Sequence, residues 1–268
     1  MIHLCVTPER QQKTRMLMSA LAGGIGRDAH VVLGEPPDDG APFVVWGQEW
    51  LTMRTVPEAV RRGRAFWTID NGYWQPGRGT SRGYYRFCYR SMSPVLLPKT
   101  PFLRDPGLRL QPWRTDGGHV LLAMPGVHFG MALGIDVKGW CATIVGEVYA
   151  KTQALGRELR VRVRDETRPL KNDLRDCWAL VTHSSNVAVD AVIAGIPVFV
   201  QPTCPAAPVG RLDLDLANPV TPGRNGWLKS LHSQHFTLAD MRNGEAWKWM
   251  RHIAEYVDGN GRDQNRAA

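Results

Sequence analysis

The sequence has no apolar run approaching the about 20 residues that span a bilayer. Its start, Met1-Ile-His-Leu-Cys-Val-Thr-Pro-Glu9, carries neither a basic leader nor a long apolar stretch, and reads as a short strand rather than a signal peptide. No membrane partner is expected, and the cytoplasm is the default compartment. Cysteine is scarce: Cys5, Cys88, Cys141, Cys177 and Cys204 are odd in number and include no Cys-x-x-Cys pair or zinc-type spacing. That argues against a disulfide framework and leaves buried, reduced thiols. The eight histidines form no His-x-x-x-His or His-Glu-x-x-His pattern, so no structural metal is expected. Acidic residues are sparse in one half only. Residues 1–114 hold 16 of the 33 Lys and Arg but 9 of the 25 Asp and Glu, a net of +7 out of the chain's +8. Such asymmetry suits a chain in which one half meets a polyanion and the other holds something small.

What is present is an α/β pattern. With 43% hydrophobic residues, 268 residues supply one large or two small α/β domains. Residues 2–6 predict a strand, 9–21 a helix, the glycines at 23, 24 and 26 the turn that ends it, and 30–34 a returning strand. A strand at 43–46, a helix at 55–63 and a strand at 65–69 ending at Asp70 continue the wind. Because those glycines follow a helix, they do not form a dinucleotide fingerprint, which needs strand, glycines and helix in that order. Between 105 and 118 the chain turns rich in Pro, Gly and charge, and Val120-Leu-Leu-Ala-Met124 opens a new strand. The domain boundary is placed there, giving 1–114 and 115–256. A helix within 137–155 and a strand at 159–163 follow. Residues 237–256 predict one helix, capped by Thr237-Leu-Ala-Asp240, with Trp247, Met250, Ile253 and Tyr256 on one stripe. Residues 257–268 are expected as a disordered tail.

The most informative stretch is Val181-Thr-His-Ser-Ser-Asn-Val-Ala-Val-Asp-Ala-Val-Ile-Ala-Gly-Ile-Pro-Val-Phe-Val200. It reads as strand, small polar turn, helix, glycine stop at Gly195 and second strand. His183, Ser184, Ser185 and Asn186 form the turn, whose small side chains leave backbone N–H groups free to meet a diphosphate. Asp190 lies about one turn into the helix, near anything bound at its start. An ordinary βαβ crossover with a serine cap explains the same pattern.

Thr182-His-Ser-Ser followed by Asp190-Ala-Val-Ile-Ala-Gly-Ile-Pro-Val198 resembles the donor segment of GT-B glycosyltransferases. The resemblance, best over residues 160–200, implies two Rossmann-like domains facing a cleft, with a C-terminal helix returning to the first domain. It also implies a nucleotide-sugar donor, UDP-linked by expectation, and no other cofactor. The histidine-serine turn departs from the Gly-Gly form of many members. Trp67-Thr-Ile-Asp-Asn-Gly-Tyr73, with Thr182–Ser185 and Gly244-Glu-Ala-Trp247, is similar to strings in phage and prophage proteins, which points to phage DNA-modifying glycosyltransferases acting in an infected or lysogenic bacterial cell.

Three further groups bear on chemistry. Asp70, at the carboxyl end of a strand and before Asn71-Gly72, stands at the sheet edge where open α/β folds bind ligands, and is the candidate base. An Asx turn is its mundane role; Glu49 and His128 come next as candidates. Arg78, Arg82, Arg86 and Arg90 recur every four residues among Tyr84, Tyr85, Phe87 and Tyr89. Guanidinium groups pair with phosphates and aromatic faces stack on extruded bases, so this stretch is the candidate contact with duplex DNA, aided by Arg61, Arg62 and Arg64. Core aromatics with solvated arginines account for it equally. Arg160, Arg162 and Arg164 alternate on one strand face, followed by Lys171; Arg162 or Arg164 is placed to meet a diphosphate leaving group, with Gly126 and His128 lining the same cleft.

The expected activity is therefore transfer of a sugar from a nucleotide diphosphate to a hydroxymethylated pyrimidine in duplex DNA. A surface-polysaccharide or lipopolysaccharide glycosyltransferase, a non-catalytic DNA-binding protein and a nucleotide-using epimerase are the rivals.

Overall fold

The computed structural model describes residues 1–47, 49–77, 82–97, 100–126, 130, 134–163 and 167–264, with side chains through residue 259. The chain divides into two compact units, Met1–Leu103 with Leu231–Ala268, and Arg104–Ser230. Each is built on its own sheet.

The first unit contains β1 (Ile2–Val6), α1 (Gln11–Ile25), β2 (Ala29–Leu33), β3 (Phe43–Trp46), α2 (Trp50–Arg62), β4 (Phe66–Asn71) and β5 (Tyr85–Tyr89). Its sheet has the order β10-β5-β4-β3-β1-β2, where β10 is His235–Phe236. The strands β1 to β4 pair in parallel, while β5 is antiparallel to β4, and β10 to β5. All five residues of β1 and all four of β3 are buried, which is why they carry near-continuous apolar runs. The strand β5 is the main departure from the sequence reading. Its five residues are all buried, and Tyr85, Phe87 and Tyr89 form one face of a pleat rather than an exposed aromatic row.

The second unit contains β6 (His119–Ala123), α3 (Val137–Ala154), β7 (Glu158–Arg162), the short α4 (Leu170–Asp173), β8 (Cys177–Thr182), α5 (Val187–Ile193) and β9 (Val198–Val200). Its four strands pair in parallel in the order β7-β6-β8-β9. Val120, Leu122, Ile144, Val148, Val181 and Phe199 form its core. Gly195 ends α5 as expected, at φ +80°, and a Cβ there would meet the Pro112 carbonyl oxygen at 1.9 Å. Buried Arg224 holds the same corner: its guanidinium donates to the carbonyls of Val192 and Gln111 and lies 3.8 Å from the Trp113 ring centroid.

The C-terminal stretch differs from the single helix expected. After α6 (Asn225–His232), a Thr237/Asp240 capping box opens α7 (Leu238–Arg242), Gly244 breaks the path at φ +85°, and α8 runs over Glu245–Gln264. The apolar stripe of α8 is Ala246, Trp249, Met250 and Ile253, all fully buried, whereas Tyr256 is exposed. Trp249 lies against Trp67 and Phe236. The stretch expected as a disordered tail continues α8 as far as Gln264, and Asp258 accepts a hydrogen bond from the Tyr89 hydroxyl at 2.8 Å; residues 265–268 lie outside the described residues.

Gly23 and Gly24 belong to α1 itself and not to its terminal turn; only Gly26 takes a positive φ. The reason is packing. A Cβ on Gly24 would stand 2.0 Å from the Met241 carbonyl oxygen and 2.8 Å from the Gly244 Cα, so α7 and α1 touch backbone to backbone. Gly24→Ala should therefore destabilise the protein by about 1–3 kcal/mol, the cost of overpacking, despite the about 1 kcal/mol that alanine gains over glycine in a helix. Gly23→Ala, whose nearest neighbour stands at 3.9 Å, should be neutral or stabilising. Urea unfolding of both variants measures the difference; equal midpoints would remove the packing account.

Candidate functional site

Two places gather the chemistry, one at the carboxyl edge of each sheet. In the first unit, β3 and β4 run out at Trp46-Gly47 and Asp70-Asn71, and antiparallel β5 begins beside them, opposite Asn71 and Asp70. The register places Asp70 across from Arg86. Arg86 Nη2 donates to Asp70 Oδ2 at 2.9 Å, Nη1 donates to the Asn71 carbonyl, and the Asn71 N–H donates to Asp70 Oδ1 at 2.7 Å. Arg86 is 5% exposed and its guanidinium lies 4.6 Å from the Tyr73 ring centroid. Gly47, Thr68, Asp70, Arg86, Cys88 and Met92 line a small recess. Burial pushes the Cys88 thiol up to about 11, which keeps it protonated and inert.

On the same edge the Lys13 ammonium, in the first turn of α1, lies 3.8 Å from the Trp46 ring centroid. Desolvation lowers its pKa, against the opposing pull of Asp70 and Glu49. Glu49 stands 3.6 Å from Arg10. Sequence reasoning did not single out Lys13, although a cation in a helix's first turn, where the dipole opposes it, was a usable signal. It also missed a nest of rings around His235, with Tyr73, Trp74, Tyr84 and His232 at centroid distances from 4.4 to 5.8 Å. Tyr73, Trp74 and Tyr84 stand more than 140 positions from the two histidines, so only the pairing of β10 with β5 unites them.

The residues expected to meet DNA do not form one exposed face. Tyr85 is fully buried in a T-shaped contact with Trp46, and is corrected from a stacking platform to a core residue. Arg86 is corrected likewise, since its guanidinium is enclosed and committed to Asp70 and Asn71. Arg90, at φ +49°, donates to the Gly63 carbonyl at 2.8 Å and pairs with Asp258 at 3.2 Å. Tyr84 is half-buried against His232 and His235, and Arg82 is exposed. Arg78 lies outside the described residues. Among the described residues of this stretch no helix underlies the four-residue spacing of the arginines; in β5 the period is two.

In the second unit the carboxyl edge carries Gly126 after β6, Arg162 at the end of β7 and the His183–Asn186 turn after β8. Gly126 is exposed. Arg162 is nearly covered, and its guanidinium binds the buried Asp173 carboxylate and the Arg168 carbonyl; Arg168 binds the same carboxylate. Arg164 and His128 lie outside the described residues. His183 is 5% exposed, sits edge-on to Trp140 at 5.4 Å, and its Nδ1 is buried without a hydrogen-bond partner among the described residues. Burial lowers its pKa, so the ring is neutral at pH 7.

The turn itself is held by weak contacts: the Ser185 N–H donates to Thr182 Oγ1 and the Val187 N–H to Ser185 Oγ, each at 3.4 Å. The N–H groups of Ser184 and Asn186 meet no acceptor among the described residues. Asp190 follows on α5, half-buried, its carboxylate without a hydrogen bond or ion pair among those residues; desolvation alone raises it to about 6. A partly desolvated carboxylate with nothing among the described residues to satisfy it is costly.

Among the described residues, no group of three His, Cys, Asp or Glu could hold a metal ion, and no helix is long and apolar enough to cross a membrane. No family model and no curated protein sequence matches the chain. A solved structure does: KpsC of Thermosulfurimonas dismutans, a β-Kdo 2,4 transferase, is similar over 90% of this chain and 96% of its own, with a TM-score of 0.52 and 12% sequence identity. The chain thus shares its α/β fold with a glycosyltransferase.

Proposed function

We propose that this chain is a nucleotide-sugar-dependent glycosyltransferase of compact GT-B type, its second unit serving the donor and its first the acceptor. The observation that carries the reading is Asp190, a carboxylate without a partner among the described residues, about one turn after backbone N–H groups that meet no acceptor there, in a fold shared with a glycosyltransferase. In this reading Asp190 accepts hydrogen bonds from ribose hydroxyls, and the Ser184–Asn186 turn takes the diphosphate. Arg162, held by the buried Asp173 carboxylate, lends positive charge near the leaving group and not a direct contact. Asp70 receives the proton of the acceptor hydroxyl as that oxygen attacks the anomeric carbon and the diphosphate departs.

A saccharide is the better acceptor. Tyr85, Arg86 and Arg90 are spent on the fold, and the similar structure is named for transfer of Kdo. The +7 charge of residues 1–114 favours the second reading, a hydroxymethylated pyrimidine in duplex DNA. Incubation with a panel of nucleotide sugars and either acceptor, followed by mass spectrometry, separates the two. A sugar-sized mass gain on a saccharide with release of nucleoside diphosphate is expected. The DNA reading requires duplex binding that weakens with salt at a slope of about −0.9 per phosphate contact, flattened by about one contact in Arg82→Ala. No mass gain on any acceptor from any donor would overturn glycosyl transfer.

A further inference from the structure

Among the described residues at the carboxyl edge of the first sheet, both carboxylates stand in ion pairs and one cation does not. Asp70 is paired by Arg86 at 2.9 Å and Glu49 by Arg10 at 3.6 Å. Lys13 feels both acids but has neither in ion-pair contact, and no other carboxylate among the described residues touches it. Its ammonium is seated on the Trp46 ring, which is itself buried, so the cation is fixed in place and partly stripped of water. A lysine at this position does not serve the helix either, since the dipole of α1 opposes it. Lys13 is thus a held ammonium without an ion-pair contact among the described residues.

We propose that Lys13 is a specificity-determining residue of the acceptor site, holding an anionic oxygen group, carboxylate or phosphate, borne by the acceptor saccharide near the hydroxyl that Asp70 serves. This rests on the glycosyl-transfer reading of Asp70. The desolvated ammonium gains a charge-assisted hydrogen bond from such a group and nothing comparable from a neutral sugar, so charge on the acceptor becomes a condition of binding.

The test is a titration of the full chain, carrying isotope-labelled lysine, with methyl glucuronide, glucose 6-phosphate and methyl glucoside, followed at the lysine ε signals. Saturable shifts of the Lys13 signal with an acidic probe and none with the neutral one are expected, and the stronger of the two acidic probes identifies carboxylate or phosphate. Lys13→Met should weaken that binding about ten- to a hundredfold, the worth of one charged hydrogen bond, while Lys13→Arg retains most of it. Uridine diphosphate affinity and the unfolding midpoint should be unchanged in both variants. An equal response to methyl glucoside, an unaltered affinity in Lys13→Met, or no saturation by either acidic probe overturns the assignment. Because binding is read without turnover, absence of transfer from every donor would strike the catalytic reading alone.

Discussion

Asp190→Asn should make the protein more stable at neutral pH while making it a poorer nucleotide binder. The Asp190 carboxyl is held near 6 by desolvation against an ordinary 3.8. Below about pH 4 both folded and unfolded chains carry the proton, and the residue has no pH-dependent effect. As pH rises from 4 to 6 the unfolded chain ionises while the folded one retains its proton, so stability falls; above 6 the full penalty is present, on the order of 1–3 kcal/mol. Asparagine removes that penalty, and thermal unfolding of the two proteins should diverge above pH 6 and converge near pH 4. Nucleotide binding should move the opposite way. Loss of a charged acceptor for ribose hydroxyls is worth about 1.5–3 kcal/mol, so calorimetry with uridine diphosphate should show about ten- to a hundredfold weaker affinity. The wild-type protein should also bind the nucleotide more tightly as pH rises through 6. A variant that is both less stable and equally avid for nucleotide would make Asp190 a structural residue and move the donor site elsewhere.

Asp70→Asn carries the second large effect, and the structure changes what it reports. If Asp70 is the general base, turnover should fall by about 10²–10⁴-fold. The same substitution, however, leaves the buried Arg86 guanidinium without its carboxylate, which costs about 3 kcal/mol of stability, the lower end for a broken buried pair because Asp70 itself is partly exposed. Reduced activity alone is therefore ambiguous. The double variant Asp70→Asn/Arg86→Met removes both charges and should recover much of the stability, since apolar replacement of a buried pair is often close to neutral. Turnover should remain lost in the double variant. Recovery of turnover together with stability would assign Asp70 to the fold and bring Glu49 forward as the next candidate, His128 lying outside the described residues.

The sequence by itself determined the α/β class, most strands of both sheets to within a few residues, and the strand-turn-helix-glycine unit of 181–200. These are local properties: hydrophobic period, caps and glycine stops act within a few residues, so they are written where they operate. Gly195 is the clearest instance, because a helix stop needs a left-handed residue at that position whatever surrounds it. What only the tertiary structure decided depends on partners far away in the chain. The arginine and aromatic stretch at 82–90 has a composition that fits a nucleic-acid face or a strand equally well; pairing with β4 on one side and β10, some 150 residues later, on the other buries its residues 85–89. Gly24 looked like a turn because its partner, the Met241 carbonyl, is more than 200 positions away. The opposition of Arg86 to Asp70 and the isolation of Lys13 on Trp46 follow from the same cause: a side chain's charge is fixed by its type, but its neutralisation is fixed by which strands lie side by side.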